Sequence, residues 1–139
     1  MPLWIALVLV AVLLGVLFVA FARDPGPDPA DVAIAFERAF DLLDFSLLYD
    51  LSGDELRDGQ RRDAFVAAKR AAHANAPMRR LASAIDVESV VRSHDTSVVV
   101  TRVETGGGAV RNTLVLERRS GVWLVVGYAL RPESRAGSA

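Results

Sequence analysis

The stretch Leu114-Val-Leu-Glu-Arg-Arg-Ser-Gly-Val-Trp-Leu-Val-Val126 decides how this chain is read. Two runs rich in Val and Leu flank Ser120-Gly121, a tight two-residue turn, so the segment predicts a β-hairpin. In the first run Leu114 and Leu116 point one way. Arg111, Thr113, Glu117 and Arg119 mostly point the other. The second run, Val122 to Leu130, is apolar on both faces. Strict alternation puts Val122, Leu124, Val126 and Tyr128 on one face and Trp123, Val125 and Ala129 on the other. A strand buried on both sides is central to its sheet or covered by a partner, so Trp123 and Val125 are candidates for a homodimer or partner contact.

Upstream of the hairpin the pattern repeats. Gly106-Gly-Gly108 predicts a hairpin loop, Ser97 to Glu104 a strand rich in Val and Thr, and Ser93-His94-Asp95 a turn. Ile85 to Arg92 alternates Ile85, Val87, Ser89 and Val91 against Asp86, Glu88, Val90 and Arg92. The preceding residues are helical. Phe36, Phe40, Leu43 and Leu47 recur at helical spacing from Asp31 to about Asp44, with Glu37, Arg38, Asp41 and Asp44 on the solvated side. Asp28 or Asp31 can cap this helix. Ser52-Gly-Asp-Glu55 matches a capping box and starts a brief turn. Arg61 to about Asn75 is the next helix, with Phe65, Ala68 and Ala72 inward. Pro77 ends it, and Met78 to Ser83 forms a further turn. Helices first and a four-strand antiparallel meander second define an α+β fold, helices on one face of a curved sheet.

The N-terminus differs from everything after it. Leu3 to Ala22 holds no charged residue and is long enough, as a helix, to cross a bilayer. Met1-Pro2 supplies no basic n-region, which favours an uncleaved transmembrane helix over residues 1–22. Ala20-Phe21-Ala22 fits a signal-peptidase site and leaves cleavage open. Arg23 to Ala30, with three prolines, reads as a linker to a domain over residues 31–132, and 133–139 as a polar tail. The Arg count after the segment leans toward a cytoplasmic domain, whereas resemblance to exported anchored domains leans outward. The expectation taken is a single-pass cell-membrane protein with an extracytoplasmic domain.

The elements Ala33-Ile-Ala-Phe36-x-x-Ala-Phe40-x-Leu-Leu43-Asp44, Leu48-Tyr49-x-Leu51-Ser52, Val98-Val-Val-Thr-Arg-Val103 and Leu114-x-Leu116-x-Arg118-Arg-x-Gly121-x-Trp123-x-Val125 together resemble the NTF2-like superfamily. The chain also looks like small membrane-anchored actinobacterial proteins of uncharacterised function. The resemblance covers residues 31–131 and implies a cone of curved antiparallel sheet closed by N-terminal helices. The superfamily includes isomerases, dehydratases, adaptors and non-enzymatic domains, so the fold does not name a function. No catalytic signature aligns residue by residue.

Composition narrows the classes. Basic residues number 16 and acidic 17, so no basic field argues for nucleic acid. Cysteine is absent, which excludes disulfides, thiolate metal sites and a Cys nucleophile. His73 and His94 are far apart with no matching carboxylate cluster, so no metal and no cofactor is expected. Asp44, Tyr49 and Tyr128 are the pocket candidates, since a carboxylate beside a phenol in the cone can serve acid–base chemistry. Arg61, Arg62, Lys69 and Arg70 lie on a basic helix that can meet anionic lipid or simply complement the acidic first helix. The leading expectation is a membrane-anchored NTF2-like interaction or ligand-binding domain. The alternative is an isomerase- or dehydratase-like enzyme, or an apolar-ligand binder, using the cone.

Overall fold

A computed structural model describes residues 3–23, 26–74 and 82–133. Among the described residues five helices precede four strands: α1 Leu3–Arg23, α2 Pro29–Asp41, α3 Phe45–Leu51, α4 Asp54–Arg57, α5 Arg62–Ala74, β1 Ala84–Ser93, β2 Thr96–Thr105, β3 Gly108–Arg119 and β4 Val122–Pro132. The strands form one antiparallel sheet in the order β1-β2-β3-β4. The expected fold class is observed: α+β, with helices laid against one face of a four-strand meander.

Helix α1 contains an 18-residue apolar span, Leu3–Ala20, long enough to cross a membrane, and none of the span is buried against the rest of the chain. The helix that opens the domain starts earlier than the periodicity predicts. Pro29 is its first residue, where the missing N–H costs nothing, and the Asp28 carboxylate accepts from the Ala30 N–H at 3.0 Å. It also stops earlier, at Asp41. Leu43 takes a left-handed φ of 57°, and Asp44 then caps α3 by accepting from the Leu47 N–H at 3.1 Å. Leu47 therefore belongs to α3 and is exposed. The capping box does not form. Gly53 is the N-cap of α4, Ser52 instead donates its hydroxyl to the Leu48 carbonyl at 2.6 Å, and Glu55 pairs with Arg119. The predicted turn at Met78 to Ser83 lies mostly outside the described residues, as does the tail after Glu133.

Two bulges break the simple alternation of the strands. Val115 faces Gly127 while Leu116 faces Val125, so Val126 is an extra residue on β4. An extra residue shifts every later side chain to the opposite face. Tyr128 consequently joins the inward face with Trp123 and Val125, opposite to its predicted side. Glu88 plays the same part in β1, between the pairs Val87–Thr101 and Ser89–Val100, and it turns Val90 inward-side and Val91 outward. The turn Ser120-Gly121 is as predicted. Both residues have positive φ, 51° and 80°, the geometry whose twist matches a tight hairpin.

The core fills the concave face of the sheet. Val32, Ala33, Phe36 and Ala39 of α2, Phe45 and Leu48 of α3 and Phe65 of α5 pack on Val99, Leu114, Leu116, Trp123 and Val125. The last strand is thus covered by the chain's own helices. Trp123 and Val125 are buried, with exposures of 2% and 0%, so neither is free to meet a homodimer mate or another partner. The Val125 carbonyl is used internally as well, accepting from the Gly53 N–H at 2.8 Å.

Candidate functional site

The cone interior has a polar centre that the sequence pattern misplaces. Glu37, expected on the solvated back of α2, is buried at 1% exposure. Its Oε1 accepts from Thr101 Oγ1 and from Asn112 Nδ2, each at 2.8 Å, and its Oε2 accepts from the Tyr128 hydroxyl at 3.1 Å. Three elements of the sheet converge on one carboxyl of the helix: β2 supplies Thr101, β3 Asn112 and β4 Tyr128. Such hydrogen bonds offset the large cost of burying the group. Asn112 Oδ1 is buried without a hydrogen-bond partner. A signal for Glu37 existed in the sequence. It follows Ala33 by four residues and adjoins Phe36, so it shares the apolar face of the helix. Thr101 and Asn112 likewise stand in phase with Val99, Val103 and Leu114.

Beside this centre lies a cavity of about 90 Å³ lined by Phe36, Phe40, Leu48, Ser52, Leu56, Phe65, Lys69 and Tyr128. Phe36, Leu48, Ser52 and Phe65 are fully buried and make its floor. Phe40, Leu56, Lys69 and Tyr128 are half-buried and make its rim. The Tyr128 ring meets Phe36 at a centroid distance of 5.3 Å and stacks on Phe40 at 6.1 Å. Glu37 is not part of the lining, although Tyr128 bridges the two.

Of the three pocket candidates, only Tyr128 reaches the cavity. Asp44 is exposed and caps α3. Tyr49 packs edge-on against Phe65 at 5.4 Å, lies under the Arg57 guanidinium at 4.1 Å, and donates its hydroxyl to the Gln60 carbonyl at 3.4 Å. Tyr49 thus braces α3 against α4 and α5, and the structure brings neither residue together with Tyr128.

The basic helix divides similarly. Arg62 forms an ion pair with Asp50 at 2.6 Å and donates to Ser46 Oγ at 3.1 Å, tying α5 to α3. Lys69 stands over the Phe65 ring, 5.4 Å from its centroid. Arg61 and Arg70 are exposed. Ala68 and Ala72, expected inside, face solvent, and Phe65 is the one buried residue of α5 among those described. His73 completes the seat of the helix. Its ring sits 5.2 Å from Phe45 and 5.9 Å from Phe40, and its Nδ1 is 2.9 Å from the Lys69 carbonyl, which fixes Nδ1 as the protonated nitrogen. No group of three metal-binding side chains occurs among the described residues.

Charged pairs elsewhere hold the sheet and its edges. Arg119 bonds both Glu55 and Glu117 and so ties α4 to the β3–β4 hairpin. That bond holds the Glu55 carboxyl below its ordinary pKa. Arg111 donates to Glu88 at 2.6 Å across the convex face and lowers the pKa of that carboxyl too. Arg92 and Arg118 lie over the Trp123 ring at 5.2 and 5.7 Å.

No protein-family model matches the sequence, and no curated protein matches it. Solved structures do share its shape. A DUF4783 family protein from Bacteroides ovatus superposes with a TM-score of 0.52 and 18% identity, over 78% of this chain and 97% of its own. A SEC-C motif containing protein from Rhodopseudomonas palustris gives 0.53 and 18%, over 80% and 84%. An NTF-2 like protein of unknown function from Burkholderia xenovorans gives 0.46 and 16%, over 78% and 86%. At these identities the likeness concerns the fold and not the chemistry. The shared architecture is a set of N-terminal helices closing the concave face of a curved antiparallel sheet, here preceded by an apolar helix.

Proposed function

We propose that this chain is a ligand-binding module of the NTF2-like class, held at a membrane by an uncleaved α1, and that it is not an enzyme. One observation carries the reading. The cone cavity is walled mainly by Phe36, Phe40, Leu48, Leu56 and Phe65, with Lys69 at its rim, while Glu37, the carboxyl buried in the cone among the described residues, lies outside its lining and already accepts three hydrogen bonds. Acid–base catalysis by Glu37 would need that carboxyl within reach of the reacting atom and its proton free to move. The phenol of Tyr128 donates to Glu37, which leaves it fixed as a wall. A small apolar recess with few polar groups suits retention of a ligand better than its conversion.

The test uses the full chain in phosphatidylcholine nanodiscs, titrated with a small apolar solute such as xenon. Saturable binding that is abolished by the cavity-filling substitution Leu56→Trp is expected; equal binding by wild type and L56W sinks the proposal. The membrane part is tested separately. Carbonate washing of membranes should leave the chain in the pellet at full-length mass, whereas a soluble product beginning near Arg23 would identify the apolar segment as a signal peptide.

A further inference from the structure

The cavity joins an apolar interior to one ammonium group. Its polar lining groups are Ser52, Tyr128 and Lys69. Two of them are engaged, Ser52 with the Leu48 carbonyl and Tyr128 with Glu37. Lys69 makes no ion pair among the described residues, and its Nζ rests above the Phe65 ring at the half-buried rim. The other basic residue of the same helix that approaches α3, Arg62, is committed to Asp50. A cation above an aromatic face gains a modest attraction. A carboxylate in the same place would give it a charge-assisted hydrogen bond, a much stronger interaction where water is partly excluded.

Size limits the other end of the ligand. The volume of about 90 Å³ is roughly that of three water molecules in the liquid and below the ~150 Å³ of a cavity that takes benzene. An acyl chain of membrane-lipid length does not fit. We infer that the cavity takes a short-chain monocarboxylate, with its apolar chain among Phe36, Leu48, Leu56 and Phe65 and its carboxylate on Lys69 Nζ. The inference rests on the ligand-binding reading above and specifies its ligand class.

The experiment compares propionate with its uncharged analogue propionamide on the full chain in phosphatidylcholine nanodiscs, by titration calorimetry. Propionate is expected to bind saturably and at least tenfold more tightly than propionamide. Lys69→Met keeps the apolar stem and removes the charge; it should weaken propionate at least tenfold and leave propionamide unchanged. Lys69→Arg should restore most of the difference, and Trp123 fluorescence verifies that each variant is folded. If folded K69M binds propionate as wild type does, or both solutes bind alike, the carboxylate inference fails while the cavity remains a ligand site. If neither solute binds, both readings fail.

Discussion

Helices α2 and α5 have the same length, thirteen residues, and both are amphipathic by sequence, yet they do different work. Helix α2 buries Pro29, Val32, Ala33, Phe36, Glu37 and Ala39 and touches three strands and α3. Helix α5 buries Phe65, packs on α3 and leaves Ala68 and Ala72 in solvent. One is the scaffold on which the sheet closes. The other is a cover, seated by the Arg62–Asp50 pair, the Phe65–Tyr49 contact and His73 between Phe40 and Phe45. An apolar stripe shows that a helix has an inner face; it does not show how many elements that face meets.

The largest expected effect comes from placing the same charge on each helix. Ala33 is fully buried, and Ala33→Lys puts an unpaired ammonium against the sheet, a change expected to cost about 4 kcal/mol or more and to unfold a marginal domain. Ala68→Lys should shift stability by no more than about 0.5 kcal/mol. Urea unfolding of the detergent-solubilised chain, read by Trp123 in a Trp4→Phe background, measures both. Similar losses at the two positions would erase the distinction between scaffold and cover.

A second test concerns the polar centre of α2. Glu37→Gln presents an amide nitrogen where donors from Thr101, Asn112 and Tyr128 now find oxygens. A loss of roughly 1–3 kcal/mol is expected from the mismatched group. No loss would mean that the carboxyl is incidental to the packing. Hydrogen exchange supplies a third test. Amides of α5 should exchange through local opening at lower free energy than those of α2, because fewer buried contacts hold them. Equal protection would make α5 part of the same cooperative unit.

The sequence made the architecture legible because hairpins and helix stripes are local. Ser120-Gly121, the Val-rich strands and the Phe36/Phe40 spacing each carry their own signal. The interior of the cone was less legible for two physical reasons. A bulge adds one residue and inverts every later side chain, so an alternation that holds up to Val125 puts Tyr128 on the wrong face of β4. A buried carboxyl is recognised only by its donors, and those of Glu37 lie 64, 75 and 91 residues away. In the sequence Lys69 is one charge on a basic helix. Its position at a cavity rim depends on how α5 sits on α3, which no local pattern encodes.

The smallest effect separates α4 from both longer helices. Helix α4 is four residues long and is tied to the sheet by Glu55 and Arg119 at the surface. The Glu55 pKa is lowered, chiefly by the hydrogen bond from Arg119. A carboxyl whose folded pKa lies below its unfolded one contributes stability above the unfolded value, near 4.3, and loses it as pH falls through the folded value. Wild type should therefore exceed Glu55→Gln slightly in urea midpoint at pH 7, and the gap should close on acidification below pH 4. Because the pair is exposed, the gap should also shrink in high salt. Because Gln keeps the Glu55 stem, a difference that persisted in acid would mean that the tie between α4 and the β3–β4 hairpin does not depend on the Glu55 charge.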